Sequence, residues 1–279
     1  MIPWGDRIPD QRLVLVTGAS SGVGQATARL LAQNGYRVIG TSRNAATAGD
    51  SPGITMLPLD VRSGESVAAC LSAVVGLAGR LDILVNNAGY ELAGALEELS
   101  LDEAKAQFET NFFGVVRMVK AVLPLMRRQE SGQIINVTSL AGLSPIPFMG
   151  IYSASKFALE GYGEVLRHEL KPFNIAVSQI EVGFLRTPMM SHRQVAARRI
   201  AEYDPWRQRA YEAIRTSEAK APGPELVANT VLRIAASKTP RLRYVVGQPA
   251  KFVTRLRRFL PAGAYEQGVR RTFRLDRER

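Results

Sequence analysis

Tyr152 and Lys156 stand four apart in the run Tyr152-Ser153-Ala154-Ser155-Lys156, and Ser139 lies a short way upstream. On a helix the phenol and the amine share one face. A phenol with a free pKa of about 10 is a poor base at neutral pH, and a neighbouring ammonium favours its ionised form. A serine hydroxyl can hold and polarise a substrate oxygen while Tyr152 gives or takes a proton there. Singly these pieces are commonplace, because Tyr and Lys four apart recur on amphipathic helices and Ser often follows a strand. Their order and setting give them weight.

A second constellation is Thr17-Gly18-Ala19-Ser20-Ser21-Gly22-Val23-Gly24, directly after the apolar run Leu13 to Thr17. Gly18, Gly22 and Gly24 allow a tight turn and close approach to a pyrophosphate. Val23 opens a helix whose free N–H groups favour an anion, and Ser20 and Ser21 add hydroxyl donors. A tight strand-to-helix turn without a ligand is the plainer alternative. At the end of the next strand, Gly40-Thr41-Ser42-Arg43 carries no carboxylate. In nicotinamide enzymes built this way an acid at that point selects NAD and an arginine accepts the 2′-phosphate of NADP. Ser42 and Arg43 are therefore expected to favour NADP(H) over NAD(H), unless Arg43 is only a solvated loop residue. Asp60-Val61 and Asn86-Asn87-Ala88-Gly89 end two further strands. Asp60 is expected near the adenine amine, and Asn87, Ala88 and Gly89 near the riboses, although such residues are also ordinary turn formers.

The elements that must position these groups alternate along the chain. Strands are expected at Leu13–Thr17, Tyr36–Gly40, Ile54–Leu59, Leu81–Val85, Ile134–Val137, Ile175–Ile180 and Tyr244–Val246, with helices near 24–33, 66–77, 102–128 and 152–170. This predicts an α/β fold: a Rossmann-type doubly wound parallel sheet flanked by helices on both faces, with ligands beyond the carboxyl ends of the strands. The expected organisation is one dinucleotide-binding catalytic domain over 1–279. Its core spans about 11–248, a helical substrate lid about 184–223, and a basic C-terminal extension about 249–279.

Among the 279 residues, hydrophobic types make up 46% and charged types 22%, as in a soluble globular protein. Cys70 is the only cysteine and His168 and His192 the only histidines, so neither an internal disulfide nor a zinc site is expected. Met1 to Asp10 lack the features of a secretory signal, and the most apolar stretch, Phe112 to Met126, is broken by Arg117 and Lys120. A cytoplasmic protein is expected, with the mature chain starting here. Net charge is +11 and unevenly placed: residues 1–185 hold 15 basic and 17 acidic side chains, residues 186–279 hold 21 and 8. Phosphate-bearing partners or a solvated basic face both account for this.

Together these residues resemble the short-chain dehydrogenase/reductase family in its single-domain branch, over roughly Leu13 to Thr187. The run Tyr152 to Gly161 is most similar to the 17β-hydroxysteroid and retinol dehydrogenase subgroup. The resemblance implies hydride transfer between NADP(H) and a lipophilic alcohol, ketone or aldehyde, steroid, retinoid or otherwise bulky and apolar, with Tyr152 as general acid and base. It also implies that Lys156 bonds the nicotinamide ribose as well and that Asn111 completes the catalytic set by holding a water beside Lys156. Gly183 and Thr187 would meet the carboxamide, although Val182 stands where the family usually has proline.

Ile146, Pro147, Phe148 and Met149 before Tyr152, and Phe184, Leu185, Met189 and Met190 after Gly183, make both flanks apolar. Phe148, Met149, Phe184 and Met189 are expected to line the pocket with Ser139 and Tyr152, or else to belong to the core. A homodimer or homotetramer is expected by resemblance. The stretch 250–260 sets Phe252, Val253, Leu256, Phe259 and Leu260 on one helical face. It is expected to pack on the protein or a second subunit, with peripheral membrane contact as an alternative and no nucleic acid. A different class of function, a non-catalytic NADP(H)-binding scaffold or sensor with a basic membrane- or nucleic-acid-binding tail, is opposed by the intact set Asn111, Ser139, Tyr152 and Lys156.

Overall fold

β1 (Leu13–Val16), four consecutive buried apolar residues, is an interior strand of a seven-stranded, wholly parallel sheet. The computed structural model describes residues 12–45, 52–187, 193–247 and 259–276. The other strands of the sheet are β2 (Arg37–Ser42), β3 (Ile54–Pro58), β4 (Ile83–Asn86), β6 (Gly132–Val137), β7 (Ile175–Val182) and β9 (Arg243–Val246), in the order β3-β2-β1-β4-β6-β7-β9. The chain winds outward from β1 to β3, then crosses back to β4 on the other side of β1. The loops after β1 and β4 therefore part, and a crevice opens at that switch in direction.

Helices cover both faces. α1 (Gly22–Gln33) and α7 (Glu225–Ala236) bury Ala28, Leu31, Val227, Val231 and Ile234 against Val14, Val16, Ile83 and Ile135. α2 (Gly64–Ala78), α4 (Gly114–Arg128) and α5 (Gly150–Leu170) cover the other face through Val67, Val74, Met118, Val122, Leu159 and Leu166. The central strands are apolar on both sides because both sides are covered.

The expected long helix over 102–128 is broken. α3 (Leu101–Phe108) starts at a Ser100/Glu103 capping box, a π-helical turn spans Glu109–Phe113, and α4 follows. Two short strands, β5 (Leu92–Ala93) and β8 (Gln194–Val195), pair in parallel above the sheet's carboxyl edge. The region beyond β8 is helical, with α6 (Asp204–Ala219) preceding α7. Near the C-terminus, α8 (Ala262–Thr272) brings Tyr265 to the Ser144 hydroxyl and packs Val269, Phe273 and Leu275 against the cluster around Tyr152. Of the expected helix over 250–260, only Phe259 and Leu260 are described, and Phe252, Val253, Leu256, Met189, Met190 and His192 lie outside the described residues. No helix among the described residues is long and apolar enough to cross a membrane.

Candidate active site

The turn after β1 is shaped by backbone that only glycine tolerates well. Gly18 and Gly22 have φ of 68° and 53°. A Cβ on Gly24 would collide with the Gly18 carbonyl oxygen and the Asn87 amide. Thr17 Oγ1 accepts from Asn87 N at 2.9 Å and Ala88 N at 3.0 Å, while Asn87 Nδ2 donates to the Thr17 and Gly18 carbonyls. The loops after β1 and β4 are thereby stitched together. Asn87, expected near a ribose, thus has its amide engaged in fixing the glycine turn. Ser20 and Ser21 are exposed, Ser21 caps α1 without a side-chain bond, and the first turn of α1 holds no acid. An uncapped helix end with exposed hydroxyls suits a pyrophosphate.

At the end of β2, Arg43 is exposed and its charge reaches Asp60. The Ser42 hydroxyl is buried and meets no hydrogen-bond partner among the described residues, as expected of a group that awaits a ligand donor or acceptor. Asp60 lies two residues past the end of β3. Its carboxylate is spanned by Arg62, with Nη2 at 2.6 Å, which with Arg43 holds its pKa down to about 2. The Arg62 guanidinium is thus its partner within the protein. Val61 packs in the core beneath Gly114, and Gly89 abuts the Asn111 amide.

The first turns of α5 carry Tyr152 and Lys156, both buried and on one face, with Lys156 Nζ 5.9 Å from the centre of the phenol ring. Nζ donates to the Val137 carbonyl at 3.0 Å. Ser139, just past β6, lies close enough to the Tyr152 phenol to pull its pKa down, accepts from Ala141 N and donates to the Val182 carbonyl at 3.4 Å. Asn111 sits in the π turn, donates to Tyr90 O at 3.0 Å and to Ser155 Oγ at 3.4 Å, and accepts from Tyr90 N. Four residues expected together thus meet at the carboxyl ends of β4 and β6. The electrostatics depart from expectation. Burial raises the phenol well above its ordinary value and Glu91 adds to the rise, while Ser139 and Arg193 oppose it. Burial also drives Lys156 down to about 8 against the pull of Glu160 and Glu91.

Beyond the phenol the walls are aromatic and aliphatic. Met149 is buried and Phe148, held at φ 61°, lies edge-on to Tyr203 and Tyr211 at 6.4 and 6.3 Å between centroids. Phe184, Ile146, Ile214 and Phe273 belong to the same cluster. Gly183 N donates to Val246 O, and Thr187 is half-buried at the end of this loop. A cavity of about 640 Å³ near Pro124, Arg127, Arg128 and Phe173 lies at the opposite edge of the sheet, away from these groups.

Three participants escape a reading of the sequence. Glu91, Arg193 and Glu218 form a largely buried ion-pair chain beside Tyr152. Widely spaced charges in unrelated segments carry no local pattern, and a charge inside an otherwise apolar lid is the one available hint.

Residues 12–197 match the family described as short chain dehydrogenase. The chain is 39% identical over 238 residues to a 3-ketodihydrosphingosine reductase of Bacteroides thetaiotaomicron, covering 85% of this chain and 88% of that protein. It is 38% identical over 252 residues to retinol dehydrogenase 8 of Bos taurus, covering 83% and 80%. A short chain dehydrogenase/reductase from Burkholderia phymatum, solved in complex with NAD, superposes with a TM-score of 0.78 at 27% identity, over 89% of this chain and 93% of that one.

Proposed function

The chain belongs to the short-chain dehydrogenase family, and on that premise we propose that it is an NADP(H)-dependent oxidoreductase acting on a lipophilic alcohol, ketone or aldehyde. The observation that carries the reading is the meeting of Tyr152, Lys156, Ser139 and Asn111 beside a glycine turn shaped for a dinucleotide. When bound, the dinucleotide supplies the hydride. Ser139 and Tyr152 hold the carbonyl oxygen, and the phenol, kept protonated by burial, donates its proton to that oxygen. Lys156 then faces the phenolate, and Asn111 steadies the backbone at Tyr90 and positions the water that refills the proton.

Arg43 and Ser42 and the absence of an acid at the end of β2 support NADP(H), with Arg43 against the 2′-phosphate. The glycine turn with Ser20, Ser21 and Val23 takes the pyrophosphate, and Gly183 and Thr187 the carboxamide. Phe148, Met149 and Phe184 form the apolar wall, and similarity to proteins named for 3-ketodihydrosphingosine and retinol supports a lipophilic substrate. The chain works as one catalytic domain, as a cytoplasmic homodimer or homotetramer. Loss of NADPH absorbance with a panel of steroid, retinoid and long-chain carbonyls tests the proposal, with NADH run in parallel. Turnover with NADPH and an apolar carbonyl is expected, and no turnover across the panel, or a preference for NADH, overturns it.

A further inference from the structure

Glu160 stands one turn beyond Lys156 on the same face of α5, and both side chains are buried. A Cβ on Gly142, in the short turn Leu140–Gly142, would collide with the Lys156 carbonyl and press on Glu160 Cγ. From the sheet, β7 turns Gln179 and Glu181 toward α5, alternating with Ile180, which packs on the opposite face. Gln179 Nε2 donates to Glu160 Oε2 at 2.8 Å and to the Glu160 carbonyl at 3.2 Å, and its amide oxygen leaves no room for a Cβ on Gly163. The Glu160 carboxylate is thereby fixed in place, away from solvent.

Its charge is poorly balanced by the cations around it. Among the described residues, Glu160, Glu164 and Glu181 form ion pairs only with Arg243 of β9, at 3.5, 3.3 and 2.9 Å. Three carboxylates thus share one guanidinium, and Glu160 is the most distant of them. Its Oε1 is buried with no donor, and the nearby Thr138 hydroxyl gives its proton to the Ile180 carbonyl. Arg167, two turns further along α5, is engaged by the carbonyls of Val177 and Pro240, and the turn Leu140–Gly142 carries no charge. Burial, and next the charge of Glu160, lift the fully buried Glu181 to about 7, so that part of the excess is met by a bound proton. The other cation within reach is Lys156. Its Nζ is tied to the Val137 carbonyl, and it forms no ion pair among the described residues. Burial works to remove its proton, and of the two carboxylates that oppose this, Glu160 acts more strongly than Glu91.

We infer that Glu160 is a positioning residue of the active site: its enclosed carboxylate, held by Gln179 and only partly offset by Arg243, keeps Lys156 in the ammonium form. The inference rests on the reductase reading above and deepens it, because the ammonium is the form that offsets the charge left on the Tyr152 oxygen. Enclosed by α5, β7 and the Leu140–Gly142 turn, Glu160 acts through Lys156 and not on the substrate.

The test follows kcat/KM for NADPH-dependent reduction between about pH 6 and pH 10, a range that spans the titration of Lys156. The substrate is the fastest carbonyl of the panel above, with dodecan-3-one as its long-chain member. Wild type, Glu160→Gln and Glu164→Gln are compared as full-length proteins. Glutamine keeps the size of the side chain and can still accept from Gln179. Loss of the opposite charge is expected to move the alkaline limb down by about one pH unit, so that kcat/KM of Glu160→Gln is about tenfold lower at pH 9 and nearly unchanged at pH 6. Glu164→Gln, at the exposed side of the cluster, is expected to keep the wild-type limb. A loss in Glu160→Gln that is equal at every pH marks a purely structural role and overturns the inference, as does an unmoved limb. A second readout needs no turnover: the Cε NMR signal of Lys156 in protein carrying isotope-labelled lysine, assigned by its absence in Lys156→Arg and followed against pH. Its midpoint is expected to be lower in Glu160→Gln than in wild type, and equal midpoints overturn the inference while turnover of any carbonyl leaves the reductase reading standing. A lowered midpoint in a protein that reduces no carbonyl supports the role of Glu160 and defeats the reductase reading.

Discussion

Lys156 Nζ lies 5.9 Å from the centre of the Tyr152 ring and donates to the carbonyl of Val137, the last residue of β6. The same strand end delivers Ser139, whose hydroxyl stands beside the phenol and lowers its pKa. The phenol is therefore bracketed by two groups fixed to one strand of a buried sheet, which is how a site keeps its geometry through a reaction cycle. Burial works on the two titrating groups in opposite senses, keeping the proton on Tyr152 and loosening the one on Lys156.

A pH dependence follows with a definite sign. The ammonium is the form that offsets the charge left on the Tyr152 oxygen after donation. With its pKa lowered to about 8, Lys156 loses that proton as pH rises through this value, so kcat/KM for reduction falls on the alkaline side. Lys156→Arg moves the falling limb upward, because guanidinium keeps its charge beyond about pH 12. A flat profile across this range in the wild type contradicts the assignment.

Asn111 carries a structural duty as well as its proposed catalytic one. Asn111→Ala removes the acceptor of the Tyr90 N–H and one of two donors to its C=O, which keeps Gln107, and an orphaned polar group out of water costs about 1–3 kcal/mol. Calorimetry is expected to show Tm lowered by roughly 2–8 °C, alongside a lower kcat. An unchanged Tm denies that the amide holds this loop.

Arg43→Ala is expected to weaken NADPH binding by about ten- to a hundredfold and NADH binding far less, since one charge-assisted contact to the 2′-phosphate is lost. Fluorescence titration with the two dinucleotides checks this. Parallel losses for both assign Arg43 to solvent.

Gly24→Ala is expected to cost about 1–3 kcal/mol of stability and to weaken both dinucleotides, because the new methyl group would collide with the Gly18 carbonyl and the Asn87 amide. Chemical denaturation and the same titrations measure it. A variant as stable as wild type with normal affinity shows that the turn has slack.

Much of this arrangement is legible in the sequence because it follows local rules. Buried parallel strands read as apolar runs, and all seven strands of the sheet fall within a few residues of expectation. The glycine turn and the Tyr152/Lys156 spacing are equally local. What is not legible is non-local or too short to have a period. β5 and β8 have two residues each, and the π turn at Glu109–Phe113 keeps a helical pattern while shifting the register that aims Asn111 inward. The Glu91–Arg193–Glu218 chain exists only after the lid has folded, and the packing of Phe273 near Tyr152 depends on where α8 docks. The engagement of Asp60 by Arg62 is a choice between partners that composition does not reveal.

The central claim is that the Tyr152 hydroxyl transfers the proton. Single-turnover reduction of one apolar ketone, with NADPH at saturation in both proteins, compares wild type with Tyr152→Phe. The account predicts a rate lower by about a hundred- to ten-thousandfold in the variant, and equal rates in the two proteins contradict it.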